Sequence, residues 1–138
     1  MTTKTLSTLH HCVYNLNYHL VLVTKYRRRC MTGPMLDRLE AICRNTALKW
    51  KCEVLEFKGE ADHVHLRLAL TPKVLPSAFV NNLKTVTSRL LRKEFSEHLK
   101  KVYWSKPVFW SRSYCILTVG GAPLSVLKQY IEQQERPE

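Results

Sequence analysis

Residues 14–25, YNLNYHLVLVTK, are rich in Tyr, Leu and Val and contain neither Gly nor Pro. This pattern predicts the first and longest strand. Apolar residues on both alternating sets make it a central strand, covered on both faces. Thr32-Gly33-Pro34 then breaks the chain and supplies helix-start chemistry. Leu36, Leu39, Ile42 with Cys43, Ala47 and Trp50 recur at helical spacing, so one helix with a single buried stripe runs to about residue 50. Residues 52–58 read as a second strand, which Gly59-Glu60 turns into a third over 61–70, an antiparallel hairpin. After Pro72 and Pro76, a second helix covers 77–99 with Phe79, Leu83, Val86, Leu90 and Leu91 inward. An aromatic and basic segment leads into a last strand over 110–119. Gly120-Gly121-Ala122-Pro123 joins this strand to a short helix over 124–134. Residues 1–10 are polar and Thr-rich and are expected to be disordered.

The predicted order is β-α-β-β-α-β-α in one domain spanning 1–138. Antiparallel pairing of the middle hairpin, with both long helices on one face, gives an α+β sandwich of ferredoxin-like or RRM-like type. The glycine joint leaves residues 122–138 as a mobile C-terminal helix, able to sit away from its own domain body. In the third strand, alternation sends Val64, Leu66 and Leu68 to the helices and His63, His65 and Arg67 to the open face.

That open face carries the first candidate chemistry. Two neutral imidazoles one residue apart can reach a single divalent cation. Two hydrogen-bonded histidines on a half-buried strand is an equally simple account of the pair. In the terminal helix Tyr130 and Gln134 are spaced i, i+4 and share a face. The phenol is a candidate nucleophile and the amide oxygen a candidate third ligand. An ordinary amphipathic helix explains the same segment taken alone.

Asp62-His63-Val64-His65 on a strand, followed by Tyr130-x-x-x-Gln134 on a C-terminal helix, resembles the HUH single-tyrosine transposases, the TnpA type of bacterial and archaeal insertion sequences. Residues 18–27 are similar to that family's opening strand, 82–89 to its second helix and 109–114 to its last strand, in the family's order. Arg67 departs from the pattern, which has an apolar residue there. The resemblance implies that Tyr130 attacks single-stranded DNA to give a 5′-phosphotyrosine, with His63, His65 and Gln134 holding a divalent metal. It implies Mg²⁺ in the cell, while the two imidazoles shift the donor preference toward Mn²⁺. It further implies hairpins at insertion-sequence ends as substrate, and a homodimer whose active sites are shared between subunits. Two other readings stay open: a non-catalytic single-strand nucleic-acid binding module, and a domesticated relative acting on host repeat palindromes.

Charge strengthens the nucleic-acid reading. Twenty-two Lys and Arg against eleven Asp and Glu leave a formal +11, a balance suited to a polyanionic partner. Lys25, Arg27, Arg28 and Arg29 follow the first strand, and with Arg67 and Arg112 they are the candidate DNA contacts. Solvated loops account for such clusters equally often. Aromatics 103–110 beside Lys106 and Arg112 suit either base stacking or the core. No apolar run reaches membrane-spanning length and no signal-type segment opens the chain. Five scattered cysteines form no Cys-x-x-Cys and point to a reducing, cytoplasmic setting.

Overall fold

The computed structural model describes residues 7–9, 12–120 and 124–134. Most of the joint at 121–123, residues 1–6 of the expected disordered segment and the tail 135–138 lie outside the described residues. Inside the segment expected to be disordered, β1 (Ser7–Leu9) pairs antiparallel with β2 (Cys12–Tyr14) as a small separate hairpin.

The main sheet contains β3 (Leu16–Val23), β4 (Glu53–Gly59), β5 (His63–Leu70) and β6 (Cys115–Thr118) in the order β4-β5-β3-β6, antiparallel throughout. α1 (Gly33–Lys49) and α2 (Pro76–Glu94) cover one face. This is the ferredoxin-like arrangement, with β3 and β5 central as their apolar content requires. Leu20, Leu22, Val64, Leu66 and Leu68 are completely buried under Leu39 and Cys43 of α1 and Phe79, Leu83 and Leu91 of α2. α1 begins as its sequence demands: the Thr32 side chain accepts from Met35 N and Pro34 stands in the first turn. At Gly59, where β4 turns toward β5, an added Cβ would lie 2.5 Å from Leu36 Cδ2, so the glycine permits the close approach of α1.

Two elements are shorter than expected, and one strand carries a bulge. The long helix over 77–99 is two helices, because Phe95 leaves helical geometry and α3 (Ser96–Tyr103) sets off afresh. The last strand is shorter than 110–119. Trp110 forms only an isolated bridge to Thr24, and Lys84 Nζ donates to the carbonyls of Ser111 and Arg112, taking acceptors a ladder would need. Lys84 is therefore a half-buried strut. In β4 a bulge between Val54 and Glu56 lets Val54 and Phe57, three residues apart, both face the helices, while Glu56 and Lys58 pair with Arg67 and His65 on the other side. Among the described residues no helix is long and apolar enough to cross a membrane.

Candidate active site

The face of the sheet opposite α1 and α2 carries His19, Val21 and Val23 from β3 and His63, His65 and Arg67 from β5. Burial begins just before β5. Asp62 is only 2% exposed, and its carboxylate accepts from His63 Nδ1 at 2.8 Å and Arg27 Nε at 3.1 Å. Arg29 approaches the same oxygen as Arg27, at 4.0 Å. Burial alone would raise the Asp62 pKa. The His63 hydrogen bond and charge, and then those of Arg27, outweigh it and hold the carboxyl below its ordinary value. A carboxylate on Nδ1 fixes that proton there, so a neutral His63 presents Nε2 as a free lone pair toward the cleft.

His65 is held differently. Its Nε2 lies 2.9 Å from His19 Nδ1, one nitrogen donating and the other accepting. Burial lowers the pKa of both rings; His19 pushes His65 further down and Arg67 does the same to His19, with Glu56 opposing in each case. Two neutral imidazoles can share such a bond, whereas two cations cannot.

α4 (Leu124–Glu132) lies over this face, with Leu127 buried on Val21 and Val23 and with Ile131 and Tyr130 beside it. Between α4 and the histidines runs a cleft of about 730 Å³. His63, His65, Arg67 and Arg27 line it from the body, and Lys128 and Glu132 are among the α4 residues that close it. Tyr130 is not part of that lining. Its hydroxyl lies 2.9 Å from Ser113 Oγ. Burial raises its pKa, the Ser113 hydrogen bond opposes this, and Cys115 adds to it. Gln134 donates Nε2 to the Tyr130 carbonyl at 3.2 Å. It opens onto a second cleft, of about 300 Å³, shared with Thr24, Lys25, Tyr26 and Arg27.

The structure thus brings His63, His65, Arg67 and Arg27 into one cleft, and Lys25 with Gln134 into the next; Arg27 borders both. Arg28 sits beneath Trp104, and Arg29 and Arg112 point to solvent. The aromatics of 103–110 divide: Tyr103, Phe109 and Trp110 are core, and Trp104 is 71% exposed. Asp62, His19 and Ser113 are site residues to which motif reading gives no role. His19 is detectable in the sequence, since it precedes Val21 and Val23 on one alternating set. Ser113 has no local signal.

For a divalent ion, His63 offers a nitrogen already oriented by a carboxylate, whereas His65 Nε2 is shared with His19, so His65 offers Nδ1 or gives up that bond. Among the described residues no three His, Cys, Asp or Glu side chains gather around such a point. Gln134 opens onto the second cleft and is not among the residues lining the histidine cleft. Asp62 also supports the fold. Asp62→Ala should lower stability by about 3 kcal/mol, the lower end for breaking a buried pair, because Arg27 keeps some solvent contact. Urea unfolding of the variant checks this; an unchanged midpoint would make the pair energetically idle.

The family model described as "Transposase IS200 like" matches residues 12–134. The ISDra2 transposase TnpA of Deinococcus radiodurans is 36% identical over 126 residues, which is 91% of this chain and 89% of that protein. The transposase for insertion sequence element IS200 of Salmonella typhimurium is 35% identical over 127 residues, 91% and 81% of the two chains. A Deinococcus radiodurans protein solved as a candidate transposase superposes with a TM-score of 0.86 at 34% identity, covering 95% of this chain and 99% of that one. A REP-associated tyrosine transposase bound to a REP hairpin shares the fold, with a TM-score of 0.52 at 9% identity over 93% and 70% of the two chains. With a family match over nearly its full length, relatives above 30% identity and the same sheet and helices, the chain belongs to the IS200-like transposases.

Proposed function

We propose that this transposase cleaves and rejoins single-stranded DNA at the ends of an insertion sequence, with Tyr130 as nucleophile. The observation that carries the reading is the placement of α4 against the sheet face that holds His63 and His65, so that one cleft has imidazoles on one wall and the tyrosine helix on the other. Arg27, Lys25 and Arg67 add positive charge around it. The tyrosine transposase that shares this fold was solved bound to a REP hairpin, which supports hairpin ends as the substrate here.

In the reaction the Tyr130 oxygen forms a bond to phosphorus and the bond to the 3′-oxygen breaks. The electron pair leaves on that oxygen, which takes up a proton to become a free 3′-OH. The 5′-phosphate stays on Tyr130, so a different 3′-OH can reverse the step without ATP. His63, His65 and Gln134 would hold a divalent ion, Mg²⁺ or Mn²⁺, whose chemistry when bound is Lewis-acid polarisation of the scissile phosphate. Asp62 keeps His63 in one tautomer, and Arg27 bridges the clefts where the phosphate backbone would pass. Ser113 must release the Tyr130 hydroxyl before attack. The reading further takes the protein to be a cytoplasmic homodimer, in keeping with its five free cysteines.

The direct test is covalent attachment of labelled single-stranded DNA to the purified protein with Mg²⁺ present. A wild-type protein that binds DNA yet gives no adduct, in Mg²⁺ or Mn²⁺, would support the binding-module reading instead. Two further outcomes follow. Burial raises the Tyr130 pKa, and the nucleophile is the deprotonated phenol, so the rate of adduct formation should still be climbing with pH as it nears the ordinary phenol range of about 10. A plateau near neutrality would reveal a separate proton acceptor. For the basic segment, Arg27 is engaged with Asp62, so the informative substitutions are Arg28→Gln and Arg29→Gln. Each that touches phosphate should reduce the log-log salt slope of single-strand binding by about 0.7. Equal slopes in variant and wild type would show that the residue does not contact phosphate.

A further inference from the structure

α3 ends in two consecutive left-handed residues, Trp104 (φ 49°) and Ser105 (φ 65°). A bulky aromatic rarely adopts this conformation, and here it coincides with an indole left 71% exposed. One side of that indole is occupied: the Arg28 guanidinium lies 5.8 Å from the ring centre. Arg28 Nε is buried and meets no hydrogen-bond acceptor among the described residues, so the indole rather than a carboxylate accompanies the charge. The α3 end is fastened to the basic turn, since Tyr103 Oη donates to the Lys25 carbonyl at 2.9 Å and His98 Nε2 donates to the Cys30 carbonyl at 2.7 Å. Beyond Trp104 lies a groove of about 160 Å³, lined among others by Arg92, Lys100 and Lys106 and by no acidic residue. Glu97 reaches Lys100 from outside, at 3.8 Å and almost fully exposed.

These features are linked through the chain and through one contact, Arg28 on Trp104. Arg27 borders both clefts of the active site, Arg28 follows it in the chain and lies under Trp104, and Ser105 and Lys106 lead into the groove. We propose that Trp104 is a stacking platform for an unpaired base of the DNA strand leaving the active site, with Arg92, Lys100 and Lys106 taking the adjoining phosphates. Single-stranded DNA is the occupant that fits, because stacking needs a base outside a duplex and a groove lined by cations without acids needs a polyanion. The inference rests on the single-strand reading of the substrate. It goes beyond that reading in assigning a surface on the helix side of the molecule.

The test uses the full chain and two probes, a single-stranded oligo-dT long enough to span both surfaces and a blunt duplex of equal length. Stacking should quench tryptophan emission on adding oligo-dT, and Trp104→Phe should abolish most of that change. Of the other two tryptophans, Trp110 is buried and Trp50 donates its Nε1 to Asn82. Trp104→Ala should weaken oligo-dT binding about tenfold, and Trp104→Phe, which keeps a ring to stack on, should recover most of the loss. Lys100→Gln with Lys106→Gln should flatten the salt slope by roughly 0.7 for each phosphate released. Unchanged affinity in Trp104→Ala, equal quenching by the duplex, or a Trp104→Ala protein whose oligomeric state changes while its DNA affinity does not, each overturns the proposal. A wild-type protein that quenches on oligo-dT but never forms a tyrosine adduct would overturn the catalytic reading and leave this one standing.

Discussion

Tyr130→Phe should give no detectable protein–DNA adduct while binding single-stranded DNA within about twofold of the wild type. The substitution removes one oxygen and leaves the ring, which packs with Leu127, Val21 and Val23 on the sheet. With that oxygen goes the 2.9 Å hydrogen bond to Ser113 on an exposed part of the surface, worth about 1 kcal/mol at most, so the fold and the charged clefts persist. Chemistry has no such reserve: a phenyl ring cannot form a phosphoester. The measurement is a denaturing gel of labelled oligonucleotide beside a binding isotherm on the same preparations. An adduct that survives in Tyr130→Phe would place the nucleophile elsewhere, and Tyr114, one residue beyond Ser113, is the next to replace.

How much of the molecule is legible in its sequence depends on the range of the interactions involved. The order of the main elements and the division of β5 into an apolar and a histidine face follow from local periodicity, because a strand's two-residue repeat leaves His63 and His65 no other side once Val64 and Leu66 are buried. Periodicity is silent where a distant group decides. The bulge at Leu55 shows only when β4 is laid against β5. β6 is cut short by Lys84, which lies 27 positions before the Ser111 carbonyl it binds, and the break at Phe95 interrupts a helical pattern that reads as unbroken. In the site, motif reading finds His63 and His65 but not the bonds that hold them. Asp62 is adjacent in sequence to the ring it orients, whereas His19 reaches His65 across the ladder from 46 positions away. The cation runs are the least legible. Arg27, Arg28 and Arg29 look alike in the chain, yet one is tied to a buried carboxylate, one lies under an indole and one is largely in solvent.

Mixing Tyr130→Phe protein with His63→Ala/His65→Ala protein should restore adduct formation that neither has alone. Within one chain Tyr130 Oη rests on Ser113, and neither it nor Gln134 lines the histidine cleft, so the proposed site is incomplete as it stands. Two movements can complete it: the chain's own α4 can turn on the sheet, or the α4 of a second subunit can supply tyrosine and glutamine. Among the described residues Leu127 is the single buried apolar anchor of α4, a small holding surface for a helix that has to move by either route. The two routes give opposite results in the mixture. If the partner supplies the helix, a mixed dimer has one site with both histidines from one chain and an intact Tyr130 from the other. Random pairing makes about half the dimers mixed, so about a quarter of the wild-type number of sites should work. If each subunit completes its own site, every site lacks either the imidazoles or the phenol and the mixture stays silent. Subunit exchange has to be shown first, by capture of an untagged variant on a tagged one. Once exchange is established, a silent mixture excludes the shared site and assigns the movement to the chain's own α4.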